Sequence, residues 1–229
     1  MRVVEVIEQV RQLPNSRVGC GFRQGRQAVL KHFFQMLGPI DPTMVERQIA
    51  RARRRLARLT TLVAPHSLPE DYRFFLEHYA ELTFVPSGDS LYLSVFGVGP
   101  TITGGEGDIV EYQEESARSR IKQLYIAMWS ARVSRGGQTS DLLGIVSQKS
   151  TAEGDERPIP FSWVLFYLDL AGTIQKHSIV VEETLSQASR KSGWRKVASS
   201  FTDWLELIAV TGGTFGYTLT PDEDIGDAF

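Results

Sequence analysis

The stretch Leu68-Pro69-Glu70-Asp71-Tyr72-Arg73-Phe74-Phe75-Leu76 predicts a helix over Pro69–Tyr79, and reading outward from it sets the fold class. Proline fits the first helical turn, where its missing N–H leaves no hydrogen bond unmade. Glu70 and Asp71 put negative charge at the positive end of the helix dipole. Tyr72, Phe75, Leu76 and Tyr79 recur at three- and four-residue steps, so one face is apolar and seeks a core.

Upstream, Val45, Ile49, Ala52, Leu56 and Leu59 form one stripe of a helix over Pro42–Leu62. Arg47, Arg51, Arg53, Arg54, Arg55 and Arg58 occupy the rest of its circumference. Further back, Val3, Val6, Ile7 and Val10 have helical spacing until Pro14 ends the pattern. Asn15–Gly25 is small and polar, and Ala28–Leu37 is helix-like again before Gly38 and Pro39. Residues 1–40 are therefore expected to form a helical N-terminal extension.

Downstream of Glu81 the texture changes to short runs of β-branched and aromatic residues, Leu91–Phe96, Gln123–Trp129, Leu142–Val146 and Trp163–Leu170, which predict strands. Ala171-Gly172 lies between apolar runs and predicts a hairpin leading into Ile174–Val181. Strands adjacent in sequence favour antiparallel pairing, because parallel pairs need long crossovers. Gly136–Gln138 and Gln148–Glu156 are polar, lack any period and predict exposed loops. Ser200, with Asp203 three residues on, predicts a capping box opening a helix over Phe201–Val210. Residues 213–229 form a tail that is acidic at Asp222, Glu223, Asp224 and Asp227. The expected architecture is α+β, an antiparallel multi-stranded sheet flanked by helices, with the main domain over residues 41–212.

Composition narrows the function. The chain has 229 residues, 42% of them hydrophobic, which suffices for one continuous core. A formal charge of −2 supplies no global field for nucleic acid or an anionic membrane, so charge-driven binding must be local. Cys20 is the single cysteine, which rules out an intrachain disulfide and a zinc site built on several thiolates, and suits a reducing cytoplasm. Glu5, Glu8 and Arg11 interrupt the first apolar positions, so no signal peptide or membrane span is expected there.

Catalytic patterns are weak. There is no Gly-x-Ser-x-Gly elbow, and His32, His66, His78 and His177 have no zinc-ligand spacing. Gly19-Cys20-Gly21-Phe22-Arg23-Gln24-Gly25 imitates a dinucleotide loop but sets its third glycine one place late and follows no evident strand. No catalytic residue, metal or cofactor is expected.

Four segments resemble the SMI1/KNR4 (SUKH) superfamily. Leu68–Leu76 is similar to the family's LPxDYxxFL helix, and Leu93-Ser94-Val95-Phe96-Gly97-Val98-Gly99 to its short strand ending in Phe-Gly. Val164-Leu165-Phe166-Tyr167-Leu168-Asp169-Leu170 resembles the strand that carries a Leu-Asp pair before a glycine turn. Val197-Ala198-Ser199-Ser200-Phe201-Thr202-Asp203-Trp204-Leu205 resembles the closing helix. The segments stand in family order, and with the amphipathic helix that precedes the first of them the resemblance spans roughly Val45 to Ile208, while the first forty residues match nothing in the pattern. The resemblance implies a sheet flanked by helices, no cofactor and no enzymatic activity. It further implies an immunity protein that neutralises a cognate polymorphic toxin by direct binding, or alternatively a scaffold or regulatory interaction module without a toxin partner.

Two charged groups are candidate surfaces. Glu106, Asp108, Glu111, Glu114 and Glu115 follow the turn at Gly104-Gly105 and could face the basic cleft of a toxin that acts on nucleic acid. The arginines of residues 47–58 read as a solvated face, with no interleaved aromatics for stacking single strands, so no direct nucleic-acid binding is expected.

Overall fold

The computed structural model describes residues 2–14, 16–84, 91–99, 122–132, 161–184 and 192–211. Its elements are α1 (Arg2–Arg11), β1 (Ser16–Cys20), a 3-10 turn (Phe22–Gln24), α2 (Arg26–Leu37), α3 (Pro42–Leu62) and α4 (Glu70–His78). They are followed by β2 (Tyr79–Phe84), β3 (Leu91–Phe96), β4 (Gln123–Arg132), β5 (Phe161–Asp169), β6 (Ile179–Thr184), β7 (Ser192–Ala198) and α5 (Phe201–Thr211). The strands form one seven-stranded antiparallel sheet in simple sequence order, β1 to β7, so the fold is α+β as expected.

One face of that sheet is apolar. Leu82 pairs with Val95, Phe84 with Leu93, Leu124 with Leu168, and Phe166 with Val181, and all of these side chains are buried. They join one core with Tyr72, Phe75 and Leu76 of α4 and Phe201, Trp204, Leu205 and Ile208 of α5. The expected stripe of α3, Val45, Ile49, Ala52, Leu56 and Leu59, is also its buried face.

Local chemistry explains the element ends. Asp41 caps α3, its Oδ1 accepting from the Thr43 N–H at 2.9 Å, with Pro42 in the first turn. Pro69 stands just ahead of α4 with extended backbone. Ser200 Oγ accepts from the Asp203 N–H at 3.0 Å, as the capping-box reading requires.

Strand boundaries moved where side-chain period says least. β2 and β7 were not read from sequence, and the strand after the β5 turn starts at Ile179 instead of Ile174. The turn is longer because Asp169, fully buried, organises it: Oδ1 accepts from the N–H groups of Gly172 and Thr173, and Oδ2 from those of Ile174 and Gln175. The strand expected at Leu142–Val146, both polar loops and the acidic tail lie outside the described residues.

The N-terminal forty residues need a correction, because they are more than a helical extension. Ser16–Cys20 is an edge strand, with Arg17 opposite Thr83 and Val18 opposite Leu82. Val3, Ile7 and Val10 of α1 are fully buried and α1 packs against α5, so the first and last described helices share one core.

Candidate recognition groove

The glycine-rich segment set aside as a dinucleotide loop is a junction that helps to build a groove along α3. Gly21 lies so close to the α4–β2 corner that a Cβ there would meet the backbone carbon of His78 at 2.3 Å. The Gly21 N–H donates to the His78 carbonyl at 2.9 Å, and Gln24 Nε2 donates to the same oxygen at 2.8 Å. These bonds strap the 3-10 turn onto α4 and fix Phe22 and Arg23 beside α3. The sequence signal was present in the glycines, but their reason is close backbone approach, not phosphate binding.

Two hollows follow each other along α3 and meet at Phe22 and Arg53. One, of about 250 Å³, is lined by Gly25, Arg26, Glu46, Ile49 and Ala50 in addition to that pair. The other, of about 520 Å³, adds Arg23, Leu56, Ala57, Thr60, Arg73 and Glu77. From Glu46 to Thr60 the flank of α3 is about 21 Å long at 1.5 Å per residue. Phe22 is nearly buried at its floor, and the Arg53 guanidinium sits 5.9 Å from that ring's centroid, a cation–π distance.

The rim is charged and organised. Glu77 has only 14% of its side chain exposed, and it receives Arg23 Nε at 3.0 Å and Arg73 Nε at 3.3 Å. Arg26 Nε pairs with Glu46 at 3.2 Å. One carboxylate from α4 thus aligns guanidiniums from the 3-10 turn and from its own helix, and these engage it through Nε.

The arginine run is less evenly spread than the sequence suggested. At about 100° per residue, Arg47, Arg51, Arg54 and Arg58 fall within about 60° of arc opposite the buried stripe, while Arg53 alone turns toward the groove. One aromatic ring, Phe22, does accompany an arginine, and it comes from another element.

The remaining candidates have structural partners. Cys20 is half-buried, and burial pushes its thiol pKa up, which works against thiolate reactivity. His78 stacks on Phe74 with Nδ1 3.1 Å from the Phe74 carbonyl, and His177 Nε2 is 3.2 Å from the Ser67 carbonyl. Among the described residues no cluster of histidine, cysteine and carboxylate side chains could hold a metal, and no helix is long and apolar enough to cross a membrane. Glu106, Asp108, Glu111, Glu114 and Glu115 lie outside the described residues. No protein-family model, curated protein or solved structure matches the chain.

Proposed function

We propose that the chain is a non-catalytic protein-binding domain whose partner is a toxin, neutralised by direct binding as an immunity protein would do. The observation that carries this reading is that the four segments resembling the SMI1/KNR4 superfamily, far apart in sequence, meet at one junction. Asp71 Oδ2 accepts from the Thr202 N–H at 2.9 Å and from its hydroxyl at 2.8 Å, joining the first segment to the fourth. The Tyr72 hydroxyl donates to the Phe96 carbonyl at 3.4 Å, reaching the second. Phe166 packs on Trp204 with ring centroids 5.1 Å apart, adding the third.

Two carboxylates are committed to holding the backbone in place. Asp71, half-buried, and Asp169, fully buried, both accept from backbone N–H groups, which supports reading the fold as a rigid platform. A rigid platform loses little conformational freedom on docking, and a few anchors then supply most of the binding energy.

The test is co-expression with any toxin encoded beside this gene. Growth is expected to be restored, together with co-purification of the two chains. Absence of both, with the chain folded, would refute the toxin partner.

A further inference from the structure

We infer that the groove along α3 docks an extended, acidic segment of a protein partner, its carboxylates on the guanidiniums of Arg23, Arg53 and Arg73 and an apolar side chain over Phe22 and Leu56. This rests on the protein-binding reading and adds the surface and the chemistry of what it receives.

Charge argues for an acidic occupant. Arg23, Arg26, Arg53 and Arg73 line the two hollows with only Glu46 and Glu77 to balance them, an excess of two positive charges on a chain whose formal net charge is −2. Arg47, Arg51 and Arg54, all exposed on the outward arc of the same helix, extend the positive field and steer an anion toward it. Organisation argues for a specific site. Arg23 and Arg73 are held through Nε by the mostly buried Glu77, so their guanidinium planes are set before a ligand arrives, and a guanidinium has four further N–H donors on its Nη atoms. Two aligned forks bind a carboxylate without first losing their rotamer freedom.

The floor argues for a peptide. Phe22, Ile49, Leu56 and Ala57 give an apolar base, and about 21 Å accommodates roughly six extended residues at about 3.3 Å each. A nucleic acid strand needs aromatic faces for successive bases, and Phe22 is the single aromatic ring among the described residues that line the two hollows.

The experiment is fluorescence anisotropy on the full chain with a labelled peptide Glu-Leu-Glu-Asp-Leu-Glu, its Leu-to-Ser counterpart and a single-stranded DNA hexamer. The acidic leucine peptide is expected to bind best. Its affinity should fall about tenfold in R53A and in the R23A/R73A pair, the loss of a charge-assisted contact. R47A and R54A, which remove the same charge from the outward arc, should change it by less than about threefold, since exposed charges act weakly at a distance. Thermal melts establish that each variant folds. Equal losses in both sets, tighter binding of the DNA, or no binding of the leucine peptide overturns the groove. Toxin rescue that survives R53A and R23A/R73A also overturns it while leaving the protein-binding reading intact. A peptide bound with this pattern by a chain that rescues no growth supports the groove and removes only the toxin.

Discussion

Asp169 shows how a single buried carboxylate directs a local fold. With four N–H groups from residues 172–175 donating to it, the turn between β5 and β6 needs no regular hairpin geometry. Glu81 on β2 is the opposite case, a carboxylate whose surroundings work against it. Burial raises its pKa, an effect only partly offset by Arg17 on the neighbouring edge strand. Above the ordinary glutamate range the unfolded chain has already released this proton, while the native state still retains part of it. Stability contributed by the protonated form is therefore lost as pH rises through the window between the ordinary and the raised value. E81Q should accordingly raise the denaturant midpoint at pH 7, with the gain vanishing below the ordinary glutamate range. Equal gains at both pH values would show that charge burial is not the cause.

Between elements, the start of α4 and the start of α5 are fastened by one residue. Asp71, in the first turn of α4, accepts from the Tyr72 N–H at 2.8 Å and at the same time receives both Thr202 donors. Phe201 then packs edge-on to Tyr72 with centroids 4.9 Å apart, so the helices meet over an aromatic contact as well. D71N and T202V, alone and combined, are expected to give a coupling of about 1–2 kcal/mol in a double-mutant cycle by urea unfolding. Additive effects would mean that the Thr202 hydroxyl adds nothing to the join beyond its backbone N–H and the packing. Each helix start was legible in sequence because capping is local: Asp71 suits the dipole and Ser200 the capping box. That Asp71 serves a second helix 131 residues away was not legible, since nothing in either segment records its neighbour.

At the scale of the whole molecule, the first forty residues are part of the domain. Val3, Val6, Ile7 and Val10 have at most 3% of their surface exposed, and α1 carries Arg2 to Asp203 at 3.0 Å and to Glu206 on α5. Burying a large aliphatic side chain contributes about 1.5–3 kcal/mol, so these four supply on the order of 6–12 kcal/mol. A domain this size is typically stable by about 5–15 kcal/mol in total. A chain beginning at residue 41 is therefore expected to lose its cooperative thermal transition, read by circular dichroism; an unchanged melt would restore the reading of a separable extension. The sequence by itself determined the α+β class, the course of α3 and α4 and the apolar side of each, because helical and strand periods are written in neighbouring residues. Only the tertiary structure decided that Ser16–Cys20 completes the sheet, and that Arg23 and Arg73 converge on Glu77 beside Phe22 and Arg53. An edge strand is selected by the backbone hydrogen bonds left open next to it, and a groove by elements distant in sequence that long-range pairing brings together. Neither leaves a period in the chain.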